Sequence, residues 1–151
     1  MSLSVKKIID DRRSYMLPVL KRYVGAVDES QDAILQQMLT TAALEIQEHA
    51  DISVLPCEME LRVENNDSEL VQLYQTPKEV TSVTTADGQS VEYVREGRRI
   101  RTAGVYESLV IDYVTEPEEG ECGRLMALVF QYATALYDGQ TDELIKIIAQ
   151  C

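Results

Sequence analysis

The sequence predicts an α+β fold: a mainly helical subunit with an inserted small antiparallel β meander. Apolar residues recur every three or four positions in residues 1–55 and again in residues 120–151, as on the buried face of an amphipathic helix. In residues 56–118 the apolar period changes to two and tight-turn dipeptides are frequent, which is typical of short antiparallel strands. We therefore predict a single domain over residues 1–151, with four to five helices and one inserted β region.

Two short helices are predicted at the start of the chain. Ser4 can cap the first one, in which Val5, Ile8 and Ile9 share a face. Pro18 falls inside the next apolar stretch. Because proline has no amide hydrogen and clashes with the preceding turn, we expect a break or kink there.

The strongest helical pattern follows Asp28. The run Asp28–Gln31 has the form of a capping box, a short polar cap with a glutamine three residues later. The helix after it should be about 20 residues long, hence about 30 Å. Its apolar stripe consists of Ile34, Leu35, Met38, Leu39, Ala42, Ala43, Ile46 and Ala50.

The β region begins where Met59, Leu61 and Val63 alternate with charged residues, as in a strand with one buried face. Asp87-Gly88 and Glu96-Gly97 each predict a tight turn, because glycine adopts positive φ without strain. Several short strands joined in this way predict an antiparallel meander.

Two more helices are predicted after the β region. The segment Cys122–Tyr137 is apolar on nearly every side, which favours a position at the centre of the structure or of an assembly. Asp138-Gly139 should end it. Thr141 can cap a last helix whose apolar residues are Leu144, Ile145, Ile147 and Ile148.

Composition argues against several classes of protein. The net charge of −12 disfavours a tight grip on a nucleic-acid backbone, which requires clustered Lys and Arg. No apolar run approaches the roughly 20 residues that span a bilayer, and the start has no secretory signal pattern. We expect a protein that is made in a reducing cytoplasm and has no membrane partner.

Charge is distributed unevenly along the chain. Residues 1–24 carry six basic and two acidic side chains, whereas residues 25–94 carry two basic and fourteen acidic ones. Residues 95–104 carry four arginines and one glutamate. The chain is therefore a patchwork of opposite signs.

The residues that could bind a metal are few. Cys57, Cys122 and Cys151 are widely spaced and lack the Cys-x-x-Cys spacing of a zinc site, and His49 is the only histidine. We predict no metal and no cofactor. His49 is expected to be a partly exposed polar residue near the end of the long helix.

Catalytic motifs are also missing. The chain has no glycine-rich phosphate loop, no His-Glu-x-x-His and no Gly-x-Ser-x-Gly. Adjacent carboxylates occur at Asp10-Asp11 and Glu118-Glu119, but neighbours on a helix point apart and those in a loop are usually solvated. We predict no enzyme, and a carboxylate-dependent hydrolase is the last of the readings.

The arginine group Arg95, Arg98, Arg99 and Arg101 permits two readings. Strand alternation would place Arg99 and Arg101 on one face and Arg98 on the other. The group could be a solvated sheet edge that charge protects from aggregation. Alternatively, it is a subunit interface that docks on an acidic surface of an identical neighbour, since a head-to-tail contact between different faces can close into a ring.

The ordered set of features is similar to the head–tail connector (head-completion adaptor) proteins of long-tailed bacteriophages and prophages. The likeness covers roughly residues 28–138, and Pro-x-x-Val-x-Ser-Val followed by Asp-Gly has the most weight in it. Its parts, in order, are Asp28–Ile46, Tyr74–Val83, Asp87-Gly88, Leu109–Val114 and Leu125–Tyr137.

This resemblance implies a structural assembly protein of the virion neck, present in the host cytoplasm during assembly. Such subunits form a ring of about twelve copies under the portal protein, extend the DNA channel and dock tail-completion proteins. DNA would pass without tight binding, because an acidic lining repels phosphate. The family has no catalytic residues. The basic residues 1–24 and the last helix extend beyond the family's usual limits.

A second function remains open. An acidic binding or inhibitor protein that mimics DNA would also have a strongly negative charge, and it would place its carboxylates at duplex-like spacing on one face.

Overall fold

The computed structural model describes the backbone of residues 1–9, 13–26, 28–117 and 119–151, and it leaves the side chains of 13–15 and 119–122 undescribed. The chain divides into two compact units. The β unit comprises Met1–Ile9 and Pro56–Glu116, and the helical unit comprises Asp10–Leu55 and Pro117–Cys151. Whether the two units together form a single domain stays a prediction.

The described residues form four helices and seven strands. In chain order these are β1 Ser2–Ile8, α1 Arg13–Val24, α2 Asp32–Ala50, β2 Cys57–Val63, β3 Leu70–Gln72, β4 Pro77–Thr84, β5 Tyr93–Glu96, β6 Arg99–Thr102, β7 Leu109–Thr115, α3 Glu119–Asp138 and α4 Thr141–Ile148. Strands take up about 29% of the chain and helices about 37%. The prediction of a mainly helical subunit is therefore wrong, although the number of helices, four, lies within the predicted four to five.

The β unit contains two antiparallel sheets and not one meander. Sheet A has the strand order β1-β2-β7-β4, and sheet B has the order β3-β6-β5. Strand β7 lies between β2 and β4, so neither of the two strands that pair with β7 is next to it in the chain. It takes the central position because its alternate side chains Leu109, Ile111, Tyr113 and Thr115 are all buried.

The first residues form strand β1, not the helix expected after Ser4. β1 pairs with β2 from Ser2 opposite Arg62 to Ile8 opposite Cys57. Its backbone thereby satisfies the edge amides and carbonyls of β2, and this tertiary pairing overrides a short helical pattern whose apolar face is weak. The side chains of β1 remain mostly exposed.

Two predicted tight turns are confirmed. At Asp87-Gly88, Gly88 has φ 88° and its N–H donates to the Thr85 carbonyl at 3.0 Å. At the next turn Gly97 has φ 64°, and Glu96 pairs directly with Arg99 across a two-residue loop. Both turns require a left-handed backbone that glycine adopts without Cβ strain.

A buried tyrosine in sheet A also anchors the chain segment that follows β3. Tyr113 has no exposed surface, and its hydroxyl donates to the Tyr74 carbonyl at 3.1 Å and accepts from the Tyr74 N–H at 3.3 Å. Thr115 forms a similar link to Cys57, whose N–H donates to the threonine hydroxyl at 3.1 Å. Two side chains near the end of β7 thus form hydrogen bonds with the backbone of other segments of the β unit.

In the helical unit, α1 continues through Pro18, where a break was expected. Met16 and Leu20, four residues apart, are both buried, whereas Pro18 lies on the exposed side of the helix. Proline removes one backbone hydrogen bond there. Packing of Met16 and Leu20 on the opposite, buried face keeps the helix continuous past Pro18.

The long helix α2 begins at Asp32 without the predicted capping box. Gln31 makes no side-chain cap, and the Asp28 carboxylate instead accepts bonds from the Ser30 N–H at 3.0 Å and the Ser30 hydroxyl at 2.5 Å. These bonds lower the pKa of the Asp28 carboxyl. The apolar stripe is confirmed for Leu35, Leu39, Ala42, Ala43 and Ile46, which are buried, but Ile34, its first predicted member, is 52% exposed.

The segment after α2 is held by a buried glutamine. The Gln47 side chain is 1% exposed, and its Oε1 accepts bonds from the N–H groups of Val54 and Leu55, both at 3.2 Å. Ser53, also buried, donates its hydroxyl to the Leu55 carbonyl at 2.7 Å. These bonds satisfy buried backbone groups that have no helix or strand partner.

Among its described side chains, helix α3 is buried on one side only. The segment is apolar on nearly every side, and a position at the centre of the structure or of an assembly was expected from that. Its buried residues are Leu125, Leu128, Val129, Tyr132, Ala133 and Ala135. Arg124, Ala127 and Gln131 are exposed. The expected stop at Asp138-Gly139 is confirmed, whereas Thr141 is the first residue of α4 and provides no side-chain cap. None of the described helices has the length and hydropathy needed to cross a membrane.

Replacing the anchoring tyrosine should destabilise the fold. In Tyr113→Phe the backbone N–H and carbonyl of Tyr74 lose their partner, so we expect the free energy of unfolding to fall by about 1–3 kcal/mol. Urea denaturation would measure the difference. The control Tyr106→Phe, whose hydroxyl makes no hydrogen bond with described residues, should stay within about 0.5 kcal/mol of wild type. Equal stability of the two variants would contradict the anchoring role.

The buried tyrosine of α3 should make the fold sensitive to alkaline pH. Burial, with a smaller contribution from the charge of Glu45, raises the pKa of Tyr132. Above a pH of about 10 the unfolded chain loses this proton while the folded chain keeps it, so the free energy of unfolding falls as pH rises. Tyr132→Phe should lose less stability than wild type between about pH 9 and about pH 11. Parallel stability curves would contradict this.

Candidate subunit interface

The arginine group lies on and around the β5–β6 hairpin of sheet B. In β6 the side chains of Arg99 and Arg101 are exposed, and Ile100 between them has no exposed surface. The predicted common face of Arg99 and Arg101 is therefore confirmed. Arg98 lies in the turn and not on the opposite face of a strand, because the hairpin loop is Gly97-Arg98.

Arg95 has a structural role that separates it from the other three. It lies opposite Ile100, on the inner face of sheet B. Its guanidinium donates to the Pro77 carbonyl at 2.7 Å, to the Gly97 carbonyl at 2.9 Å, and to the Lys78 carbonyl. Arg95 therefore joins the hairpin to β4, and most of its donors are used inside the β unit.

The outer face of sheet B holds the remaining charge. The Arg101 Nε donates to Glu96 Oε1 at 3.0 Å, with each side chain 46% exposed. This hydrogen bond, and then the charge of Glu96, raises the pKa of Arg101. An exposed pair of this kind contributes little to stability. Arg99 makes no ion pair with any described residue, so its charge is available to a partner.

An exposed apolar residue lies beside these arginines. Val94 is directly opposite Arg101 in the β5–β6 pairing and is 64% exposed. Leu70, on the other side of Arg101, is half-buried. Val94 and Arg101 also border a shallow hollow of about 530 Å³ at the edge of β5, together with Val91, Glu92, Tyr93, Thr102 and Ala103. The face thus combines a cationic and an apolar component.

Sequence reasoning did not identify Val94 as part of this face. A signal was present, because Tyr93 and Val94 are adjacent in a predicted strand and so must point to opposite sides. One of the two therefore had to lie away from the core. Both are in fact exposed, Tyr93 at 36% and Val94 at 64%, and the pairing of β5 with β6 places Val94 on the outer face, opposite Arg101.

The described basic residues of the first 24 positions belong to two different units. Lys6 is in β1 of the β unit, where its Nζ lies 3.5 Å from Asp112 Oδ2. Lys21 is in α1 of the helical unit, where its Nζ lies 2.9 Å from Asp32 Oδ1. The linear charge cluster is therefore divided between the two units and partly neutralised within each.

The candidate catalytic and metal-binding residues do not converge among the described side chains. His49 is exposed in the last turn of α2, with Nε2 3.6 Å from Glu45 Oε2. Cys57 is buried, Cys151 is half-buried, and burial raises the pKa of the Cys151 thiol. Asp10, Asp11, Glu118 and the side chains of Glu119 and Cys122 lie outside the described parts of the chain. Within those parts, no three His, Cys, Asp or Glu residues are placed to hold a metal ion.

Comparison with known proteins identifies similar folds only among solved structures. No family model matches the chain, and no curated protein matches it. A chain from the neck of an empty gene transfer agent (GTA) particle, computed with C6 symmetry, superposes with a TM-score of 0.63 at 15% identity. A chain from the virion of a native GTA particle gives the same values. A chain from a native GTA neck computed with C12 symmetry gives 0.60 at 17% identity.

These superpositions are extensive. Each covers 91% of this chain and 84% of the other. The identities of 15–17% are low enough that the likeness establishes a shared fold and no more. The fold, with its two antiparallel sheets and its helical unit, is therefore one that particle neck proteins use.

Two arginine variants should separate structure from interaction. Arg95→Ala removes charged hydrogen bonds to backbone carbonyls of β4 and the hairpin, and we expect the free energy of unfolding to fall by about 1.5–3 kcal/mol. Arg99→Ala removes only an exposed charge and should change stability by less than about 0.5 kcal/mol. Urea denaturation at equal protein concentration measures both. Equal effects of the two changes would mean that Arg95 does not fasten the hairpin.

Proposed function

We propose that this protein is a structural subunit of the neck of a phage particle, a head–tail connector. In this role it forms a ring of about twelve copies under the portal protein, extends the DNA channel and provides a docking surface for tail proteins. It works by shape and association, without a catalytic step or a cofactor. It is active in the virion and reaches it from the host cytoplasm during assembly.

One observation has the greatest weight in this proposal. The fold is shared over 91% of the chain with proteins of GTA necks, two of which were computed with C6 and C12 symmetry. Such symmetry suits a subunit that is repeated around an axis. The order of sequence features over residues 28–138 supports the same conclusion, because it resembles that of connector proteins.

The charge distribution supports a ring of repeated copies. A subunit with a net charge of −12 would repel its copies unless surfaces of opposite sign meet. Arg98, Arg99 and Arg101 lie at the exposed tip and outer face of sheet B, where they could meet an acidic neighbour, and Arg95 fixes the hairpin that presents them. The same negative charge would let DNA pass through the ring without being held.

Reconstitution with the portal protein of the same particle tests the proposal. We expect electron microscopy to show an added ring of density under the portal, with about twelve copies around the axis. Duplex DNA should not be retained by the protein at low salt, in contrast to proteins that bind phosphates. The proposal fails if neither the protein alone at high concentration nor the mixture with portal forms a ring. Recovery of a basic nucleic-acid enzyme in a pull-down, in place of portal or tail proteins, would favour the DNA-mimic reading.

A further inference from the structure

The short helix α4 has two apolar sides, and only one of them is covered. Ile147 is 5% exposed and packs within the helical unit, whereas Ile145 is 73% exposed. Residues three and four positions apart share a helix face, so Ile145 lies beside Asp142, Ile148 and Ala149. Ile145 is the most exposed large apolar side chain among the described residues. Single exposed apolar residues are common on protein surfaces, so Ile145 indicates a contact only together with the charges around it.

The same end of the helical unit is acidic. Asp138 and Asp142 are both exposed at the junction of α3 and α4. Glu143 is also exposed, but it lies on another side of α4 and pairs with Lys146 at 3.2 Å. The uncovered face of α4 therefore consists of apolar residues with Asp142 at its N-terminal end, and neither Asp142 nor Asp138 forms an ion pair with a described residue. We define the α4 face as Asp142, Ile145, Ile148 and Ala149.

The outer face of sheet B has the complementary character. Val94 is 64% exposed, Arg99 has no described ion-pair partner, and Arg101 is bound only by the exposed Glu96. On the β unit Val94 thus stands beside Arg101, on a face that also carries Arg99 and Glu96, and on the helical unit Ile145 stands beside Asp142. Every copy of the chain carries both.

We infer that the α4 face of one copy docks on the outer face of sheet B of the next copy, with Ile145 against Val94 and Asp142 towards Arg99. The contact joins two different surfaces, so it leaves one free surface of each kind and can continue from copy to copy until a ring closes. It also brings an exposed cationic face to an acidic region, which reduces repulsion between subunits of net charge −12. This inference rests on the proposed ring and specifies which surfaces build it.

Disulfide trapping tests the contact directly. The variant Val94→Cys with Ile145→Cys is made in a chain that also carries Cys122→Ser and Cys151→Ser, and Cys57 is kept because it is buried. Oxidation at high protein concentration should produce a ladder of dimers, trimers and larger species on a non-reducing denaturing gel. A head-to-tail contact requires species beyond the dimer, because each copy offers both cysteines to different neighbours.

A matched variant controls for random collision. Val105→Cys with Ile145→Cys uses another exposed valine of the β unit, 57% exposed compared with 64% for Val94. It should give no ladder. A ladder of equal strength from both variants overturns the inference, as does a single monomer band from the Val94 variant.

Substitution separates this inference from the proposed function. Ile145→Asp should raise the protein concentration needed for ring formation about tenfold or more, while circular dichroism stays unchanged because the side chain is exposed. Asp142→Arg and Arg99→Asp should each weaken assembly, and the two changes together should restore part of it. If Ile145→Asp forms rings as readily as wild type, or if the paired change restores nothing, the inference fails and the proposed function stands. If wild type forms no ring, the proposed function fails first.

Discussion

The central position of β7 is the constraint on which the rest of the β unit depends. Its alternate side chains are buried and its backbone pairs with β2 on one side and β4 on the other. A strand so placed has no edge, so β1 and β4 become the edges of sheet A. The hydroxyl groups of Tyr113 and Thr115 then bind backbone groups of other segments and hold the start of β2 and the segment after β3 in place.

Arginines that are close in sequence divide into different roles because of one pairing register. Arg95 opposite Ile100 must face inwards, where its flat guanidinium can bond several carbonyls at once. Arg99 and Arg101 alternate with the buried Ile100 and must face outwards. The inward arginine therefore contributes to the stability of the hairpin, and the outward ones contribute to the character of its surface. Charged residues that are close together in a sequence thus need not share one function when a hairpin places them on different faces of a sheet.

The β unit and the helical unit expose surfaces of opposite charge. The contact that we infer between copies pairs these two surfaces, and so would let a chain with a strong net negative charge associate with itself. The β unit exposes cations around Val94, and the helical unit exposes carboxylates near Ile145. Apolar contact supplies most of the free energy in such an interface, whereas the charges select the orientation.

Residue spacing and backbone preference determined much of this protein. They account for the apolar stripe of α2, the alternation in β2, the turns at Gly88 and Gly97, and the common face of Arg99 and Arg101. The tertiary structure alone decided that residues 2–8 form a strand, that α1 passes through Pro18, and that Val94 and Ile145 remain exposed. These outcomes depend on pairing with β2, on packing of the opposite helix face and on the register of β5 with β6. Such contacts join residues far apart in the chain, and no local period encodes them.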